Sequence, residues 1–170
     1  AGAALPAPRR PLAMTGAVAW TESRRTCWAY SPGGHLAELE RATDGILFTD
    51  RFDVTFAGGT PPRRAPSRTY IVCHPRRAIG RTLLNIAQSL RVVLRERPRL
   101  IVSTGADVAV AVCVLGRLLG ARLVFIETAG ELAPTLAGRL VYPFADLFIV
   151  QWPEKLAAFP RAVLARGPLL

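Results

Sequence analysis

Short runs of β-forming apolar residues alternate with segments of helical period from Thr26 onward. This alternation is typical of βαβ units and predicts a parallel sheet. The expected strands cover residues 26–30, 53–56, 69–73, 100–103, 122–126, 147–150 and 162–164. The expected helices cover residues 36–42, 79–96 and 107–119. We therefore expect an α/β fold, a Rossmann-like parallel sheet with helices on both faces.

The longest expected helix, 79–96, carries apolar residues at three- and four-residue spacing, with arginines placed off this stripe. The stripe consists of Leu83, Ile86, Ala87, Leu90, Val93 and Leu94. The first interpretation is that the stripe packs on the sheet and leaves the arginines in solvent. The alternative is a basic amphipathic helix that lies at a membrane surface.

A length of 170 residues suits one domain. We expect residues 1–25, rich in Ala, Pro and Arg, to form a disordered leader, and residues 26–170 to form the single domain. The three cysteines are far apart, so they indicate neither a disulfide framework nor a metal site. We expect no metal and no cofactor. No apolar stretch reaches the roughly 18 to 20 residues that a spanning helix needs.

Positive charge exceeds negative charge, with 22 Lys and Arg against 12 Asp and Glu, and Lys155 is the only lysine. Arginine suits phosphates, because its planar guanidinium binds them bidentately. The partner could be nucleic acid, an anionic lipid headgroup, or a lipid or nucleotide diphosphate. Aromatic stacking motifs and a recognisable DNA-reading helix are missing, so we expect no nucleic acid partner.

Candidate site residues follow the ends of three expected strands. Gly33, Gly34 and His35 join the first strand to a helix, Gly105 lies in a second strand-to-helix turn, and Glu127 follows a third strand. The carboxyl ends of parallel strands meet at one edge, so these residues should converge there. His35 could act as a general base or bind phosphate. The simpler interpretations are a tight turn with a capping histidine and a glutamate that forms a cap or salt bridge.

An arginine cluster follows the strand expected at 69–73. It comprises Arg76, Arg77 and Arg81. Three guanidinium groups beside the sheet edge could hold a diphosphate. A solvated charged surface is the equally open alternative.

Four segments, in this order, resemble bacterial polysaccharide-biosynthesis proteins of the PssD and CpsF type: 31–36, 103–106, 125–128 and 138–154. They are also similar to the acceptor-side subunit of the eukaryotic transferase that adds the second GlcNAc to dolichyl diphosphate. A more distant resemblance is to the peptidoglycan transferase MurG. The resemblance covers roughly residues 27–170, and its most specific part is 138–154.

The resemblance implies the N-terminal, acceptor-side half of a GT-B glycosyltransferase, with the donor nucleotide bound by a separate polypeptide. The implied reaction is inverting transfer from a UDP-sugar, expected to be UDP-GlcNAc, to a polyprenyl-diphosphate-linked saccharide. By position, Gly33, Gly34 and His35 match the family's glycine loop, Gly105 its second glycine turn and Glu127 its glutamate. We expect His35 first, and Glu127 second, as the base.

Two departures from the family pattern bear on these expectations. Residues 129–132 read Ala-Gly-Glu-Leu, where the family commonly has an Ala-Arg-Val type sequence. The eukaryotic subunit carries an N-terminal membrane anchor that we do not expect here. We expect a peripheral protein on the cytoplasmic face of a membrane, attached through its basic amphipathic surface or a partner. The tail 167–170 is a candidate docking element. The alternative function is a non-catalytic membrane adaptor that recruits and activates a partner glycosyltransferase.

Overall fold

The computed structural model describes residues 19–167 and Leu169. Within these residues the strands are β1 (Trp20–Glu22), β2 (Thr26–Ala29), β3 (Ile46–Phe48), β4 (Arg51–Thr55), β5 (Arg68–Ile71), β6 (Leu100–Ser103), β7 (Arg122–Ile126), β8 (Leu147–Val150) and β9 (Val163–Leu164). The helices are α1 (Gly34–Ala42), α2 (Ile79–Glu96), α3 (Asp107–Leu118) and α4 (Leu136–Val141). Short 3-10 segments occupy Tyr142–Phe144 and Pro153–Ala157.

Seven strands form one sheet in the order β5-β4-β2-β6-β7-β8-β9, and every neighbouring pair is parallel. Side chains of β2 alternate between two apolar clusters, as the pleat requires. Cys27 and Ala29 join the cluster that includes residues of α2 and α3, whereas Trp28 and Tyr30 join the cluster that includes residues of α1. The prediction of a Rossmann-like parallel sheet with helices on both faces is therefore confirmed.

The strand order reverses at β2. Its neighbours are β4, the next sheet strand along the chain, and β6, which begins the second half of the sheet. The loops after β2 and β6 consequently leave the sheet toward opposite faces, and a crevice opens between them at the carboxyl edge. Ligands of open α/β sheets bind at this kind of position.

The N-terminal segment differs from the expected disordered leader in part. Residues 20–22 form β1, which pairs in parallel with β3, so that Trp20 faces Ile46 across the small sheet. Both strands are three residues long, too short for an alternating pattern to reveal them. Residues 1–18 of the expected leader lie outside the described residues.

Helix α2 turns its apolar stripe outward except for Val93, which is buried, so the first interpretation of this helix is wrong. Leu83 is 61% exposed, Leu90 37% and Leu94 53%. The residues that α2 buries instead are Asn85, Ser89, Val92, Val93 and Glu96. Periodicity establishes that a helix has an apolar face, but it does not establish which face meets the protein.

Polar contacts explain why α2 buries that face. The side-chain amide of Asn85 donates to the carbonyl oxygens of Cys73, at 2.8 Å, and of Val108, at 3.3 Å. At the other end of the helix, the Glu96 carboxylate is 2.8 Å from the guanidinium of Arg68. These partners satisfy the Asn85 amide and the Glu96 carboxylate, whereas the buried Ser89 hydroxyl has no hydrogen-bond partner among the described residues. No helix in the described part of the chain is long and apolar enough to cross a membrane.

Candidate functional site

His35 occupies the turn between β2 and α1. Gly33 precedes the helix with φ 92°, a conformation that glycine adopts without strain. The His35 ring is half-buried, and its Nδ1 lies 2.9 Å from the carbonyl oxygen of Thr104. A carbonyl oxygen only accepts hydrogen bonds, so Nδ1 carries the proton. In the neutral imidazole, Nε2 then keeps its lone pair and can accept a proton.

The turn after β6 is bonded to His35 in both directions. The Thr104 hydroxyl donates to the carbonyl oxygen of His35 at 2.7 Å. The Ser103 hydroxyl donates to the carbonyl oxygen of Ala29 at 2.7 Å and accepts from the N–H of Gly105 at 3.1 Å. These bonds join the two loops that flank the crevice, and the predicted convergence of His35 and Gly105 is seen in the structure.

Gly105 lies where a side chain would not fit comfortably. Its φ is +99°, and an added Cβ would lie 3.2 Å from Phe125 Cζ and 3.9 Å from His35 Cε1. Ala106, the next residue, has φ 70° and ψ 152°. An alanine in this region is strained by about 1 to 3 kcal/mol, and such strain is concentrated at functional sites. The backbone of this turn, beside His35, is therefore held in a strained conformation.

The helix N-termini that follow β2 and β6 face the carboxyl edge without side-chain caps. Helix α1 begins at Gly34 and α3 at Asp107, and neither preceding residue makes a side-chain capping bond. Gly33 and Gly34 are exposed, so their backbone is accessible to a ligand. Unsatisfied N–H groups and the positive end of the helix dipole attract anions. The Asp107 carboxylate in the first turn of α3 opposes this attraction on that side, which leaves the α1 turn as the better anion-binding position.

Glu127 is buried in a network of its own and does not reach His35. Its Oε1 accepts from the N–H of Thr135 at 2.7 Å and lies 3.4 Å from Lys155 Nζ, and its Oε2 accepts from the Thr135 hydroxyl at 3.1 Å. Helix α4 closes over it, since a Cβ on Gly138 would lie 2.2 Å from Oε2. With both oxygens bonded, the carboxylate holds the loop after β7 in place instead of facing the crevice.

Glu38 connects α1 to this loop, and sequence reasoning missed it. The side chain is buried, and its Oε1 accepts from the Thr128 hydroxyl and the N–H of Ala129, both at 3.0 Å. The available signal was its spacing, because a residue three positions after His35 lies on the same side of the helix. Lys155 was also missed, although the only lysine of the chain was conspicuous.

The segment with the most specific resemblance braces the same loop. The Gln151 amide donates to the carbonyl oxygen of Glu127 at 2.9 Å, and the Trp152 indole donates to that of Ala129 at 2.8 Å. Lys155 Nζ adds a bond of 2.7 Å to the carbonyl oxygen of Thr128. The Gln-Trp-Pro region thus holds the loop after β7 in place through hydrogen bonds to its carbonyl oxygens. Leu169 donates to Gln151 at 2.6 Å, and residues 168 and 170 of the expected docking tail lie outside the described residues.

The arginine cluster lies at the carboxyl edge on the α2 side of the sheet. Arg76, Arg77 and Arg81 are exposed, and the first two have φ of 48° and 55°. The N–H of Arg76 donates to Nδ1 of His74 at 3.1 Å. Among the described residues, no hydrogen bond or ion pair joins these arginines to His35. The structure therefore places the cluster on the predicted edge without bringing it into contact with the histidine.

A second buried carboxylate lies on the α1 face of the sheet. Asp53 accepts from the Tyr30 hydroxyl at 2.8 Å and lies 3.0 Å from Arg51 Nε. Burial raises the pKa of Asp53 from 3.8 to about 6, and the charge of Arg51 and the hydrogen bond from Tyr30 offset only part of this effect. Within residues 19–167 and Leu169, no group of three His, Cys, Asp or Glu side chains is placed to hold a metal ion.

The parallel sheet and its crevice define the class of protein, a Rossmann-like domain of the kind found in GT-B glycosyltransferases and related epimerases. MurG of Acinetobacter baumannii matches with a TM-score of 0.56 at 15% identity, over 85% of this chain and 44% of that chain. UDP-N-acetylglucosamine 2-epimerase of Rickettsia bellii matches with a TM-score of 0.61 at 10% identity, over 86% and 45%. These likenesses establish the fold alone.

The family model described as "Oligosaccharide biosynthesis protein Alg14 like" matches residues 71–167, more than half of the chain. The protein belongs to this family. The UDP-N-acetylglucosamine transferase subunit ALG14 of Eremothecium gossypii is 34% identical over 98 residues, 50% of this chain and 44% of the relative. Its counterpart in Yarrowia lipolytica is 29% identical over 86 residues, 46% of this chain and 40% of the relative. The chain thus spans less than half the length of these relatives.

Proposed function

We propose that this chain is the acceptor-binding subunit of a UDP-sugar glycosyltransferase whose donor-binding half is a separate polypeptide. The acceptor is a saccharide linked to a polyprenyl diphosphate, and the donor is UDP-GlcNAc. The relatives' name, a UDP-N-acetylglucosamine transferase subunit, supports the reaction class and the need for a partner. The resemblance to PssD and CpsF leads us to propose bacterial polysaccharide synthesis as the setting.

The observation that carries the proposal is the tautomer of His35. The Thr104 carbonyl keeps the proton on Nδ1, so Nε2 presents a lone pair at the crevice. We propose that Nε2 removes the proton from the acceptor hydroxyl as that oxygen attacks the anomeric carbon of the sugar. The UDP leaves with the electron pair of the broken glycosidic bond, and the partner stabilises its charge. The stereochemistry inverts, since one displacement occurs.

The remaining predicted residues have supporting roles in this mechanism. Exposed backbone at Gly33 and Gly34 and the uncapped start of α1 bind acceptor phosphate or hydroxyl groups. Gly105 keeps the space beside the imidazole open. Arg76, Arg77 and Arg81 attract the diphosphate. Glu127 positions the loop after β7 and does not act as the base, because its oxygens are engaged by Thr135 and Lys155.

The outward stripe of α2 supports attachment to a membrane surface. Exposed leucines lie along the helix, and exposed arginines lie beside them. A helix with this distribution binds an anionic bilayer by inserting its apolar side chains and pairing its cations with headgroups. We propose a peripheral protein on the cytoplasmic face, where the polyprenyl-linked acceptor is accessible.

Reconstituted sugar transfer tests the function. The chain alone, its partner alone and the mixture are each supplied with a panel of UDP-sugars and a polyprenyl-diphosphate glycan. We expect activity only in the mixture, highest with UDP-GlcNAc. His35→Ala should lower kcat by about 10²- to 10⁴-fold with little change in acceptor KM, as loss of a general base does. Glu40→Gln, on the same helix but paired with Arg63, is the matched control and should retain wild-type rates.

A non-catalytic adaptor is the second candidate, and the burial of Glu127 favours it, because one of the two expected bases is buried and hydrogen-bonded to other residues of this chain. The adaptor would hold a partner transferase at the membrane through α2 and supply no proton acceptor. It predicts that the partner alone transfers sugar slowly. It also predicts that the chain accelerates this transfer equally well with His35→Ala.

A further inference from the structure

An apolar groove of about 390 Å³ runs between α2, α3 and α4. Its apolar walls are Ile86, Val110, Val114, Leu115, Leu136 and Leu140. The polar residues within it direct their hydrogen bonds elsewhere: Thr82 donates to the carbonyl oxygen of Ala78, and Asn85 to those of Cys73 and Val108. The groove therefore offers a ligand mainly apolar contact. Its volume is near the lower limit of ligand pockets and suits one chain instead of two.

One end of the groove is charged, and this end lies at the carboxyl edge of the sheet. Arg77 and Asp107 line it together with Pro75. Arg76 and Arg81 do not line the groove, but both are exposed and lie close to Arg77 along the chain, so they add positive charge near this end. Asp107 also has a partner, since its Oδ1 is 3.5 Å from Nε2 of His74. This end of the groove attracts an anion.

The groove and the crevice share one turn. Residues 104–107 join β6 to α3, with Gly105 beside the His35 ring and Asp107 at the charged end of the groove. A ligand with its headgroup at this turn would reach the imidazole on one side of α3 and the groove on the other. The groove also adjoins the exposed stripe of α2, because Ile86 belongs to both, and Leu136 and Leu140 of α4 are themselves exposed. Its apolar length is continuous with the surface proposed to face the membrane.

We propose that this groove binds the first isoprene units of the acceptor's polyprenyl chain, with the diphosphate held at Arg77. The inference rests on the proposed function for the identity of the lipid. A polyprenyl diphosphate combines two features that lie at different positions along the groove: a single chain of apolar units and a dianionic end. A bilayer phospholipid has two chains and fits the single groove less well. The polyprenyl chain would then leave the membrane along α2, and the sugar end of the acceptor would point toward His35.

Soluble probes test the groove without a membrane or a partner. Binding of farnesyl diphosphate, inorganic pyrophosphate and the two-chain lipid dihexanoyl phosphatidate to the full chain is measured by calorimetry below their micellar concentrations. We expect farnesyl diphosphate to bind at least about tenfold more tightly than pyrophosphate, because burying even two methylene equivalents accounts for that factor. We expect dihexanoyl phosphatidate, which has two chains, to bind at least about tenfold more weakly than farnesyl diphosphate.

Two variants assign the binding to the groove. Ala111→Trp fills it, and Leu140→Glu, at an exposed position, places a negative charge in it without disturbing the core. Each should abolish the preference for farnesyl diphosphate over pyrophosphate and leave pyrophosphate binding unchanged. Leu118→Trp, at an exposed position of the same helix α3, is the matched control and should keep the preference.

The inference is overturned if farnesyl diphosphate and pyrophosphate bind equally, if dihexanoyl phosphatidate binds as well as the isoprenoid, or if both groove variants keep the preference. The transfer assay separates this inference from the proposed function. Suppose that the groove variants abolish the preference for farnesyl diphosphate while the reconstituted mixture transfers no sugar. That result would refute the proposed transferase function and support the groove. Active transfer with full affinity in both groove variants would refute the groove alone.

Discussion

Two buried carboxylates on the sheet are stabilised in different ways. Glu127 is ion-paired with Lys155, and both side chains are essentially inaccessible to solvent, at 1% and 0% exposure. Asp53 also has a cation nearby in Arg51, yet burial dominates and raises its pKa to about 6. The stability of buried Glu127 depends on its ion pair with Lys155. The stability associated with buried Asp53 depends on pH, because its pKa is raised. Each predicts a distinct effect on the free energy of unfolding.

Lys155→Met is expected to destabilise the protein by about 3 to 5 kcal/mol, because it leaves the Glu127 carboxylate buried without a cation. Urea denaturation followed by circular dichroism measures this loss. Arg63→Met provides the comparison, since Arg63 pairs with Glu40 at an 80% exposed position. That change should alter stability by less than about 1 kcal/mol. Similar losses in the two variants would show that the buried pair has no special importance.

Asp53 should make the protein less stable as pH rises from 3.8 to about 6. In this window the folded state still binds a proton that the unfolded chain has released, so a higher pH favours unfolding. The contribution is fully present below the lower pKa, and its loss is of the order of 3 kcal/mol. Asp53→Asn should remove the slope, as seen by urea denaturation at several pH values.

Asp146 is the control for the sign of this effect. Burial opposes its ionisation, but the N–H of Leu123 and the guanidinium groups of Arg122 and Arg117 outweigh burial and lower its pKa. Asp146 therefore adds stability above its unfolded pKa that is lost as pH falls. Asp146→Asn should change the slope in the direction opposite to Asp53→Asn. Parallel stability curves for the wild type and Asp53→Asn would contradict the prediction for Asp53.

At the scale of elements, α2 has three faces instead of the usual two. One is buried and partly polar, with Asn85 and Glu96 bonded to neighbouring segments. The second is apolar and exposed, and the third carries arginines. An exposed apolar face on a monomeric surface generally marks an interaction site. The basic residues beside it favour an anionic membrane as the partner.

Replacing Ile79 and Leu83 by serine should weaken binding to phosphatidylglycerol-containing vesicles by at least about tenfold, because each side chain contributes roughly 1.5 to 3 kcal/mol when buried. Both are strongly exposed in the protein, so its stability should be unchanged. Vesicle cosedimentation measures the effect. Leu118→Ser with Leu119→Ser, at exposed positions at the end of α3, is the matched control. Equal losses from both double variants would indicate nonspecific adsorption.

At the scale of the whole molecule, the described residues form one seven-stranded sheet, with a crevice where the strand order reverses, and a separate pair of short strands. The loops after β2 and β6 are joined by the hydrogen bonds between His35 and Thr104. The exposed apolar stripe, the apolar groove and the arginine cluster all lie on the α2 side. The acceptor and the bilayer are thus proposed to approach from one side, and this leaves the opening of the crevice for a donor-binding partner.

The sequence by itself determined the order and type of the main elements. Parallel strands buried on both faces read as continuous apolar runs, such as those of β6 and β7, and glycines mark the turns at Gly33 and Gly105. These are local properties, so they are visible in a linear pattern. The same locality explains why β1, β3 and α4 were missed, because each is too short to complete a pattern.

Only the tertiary structure decided which residues meet. The outward orientation of α2 depends on partners for Asn85 and Glu96 that lie in other segments. The enclosure of Glu127 depends on Lys155, 28 positions further along the chain, and the tautomer of His35 depends on a carbonyl 69 positions away. Burial, ion pairing and protonation are set by neighbours in space. A pattern along the chain identifies the side chains that can act chemically. The packing of the sheet determines which of these side chains remain accessible to a ligand.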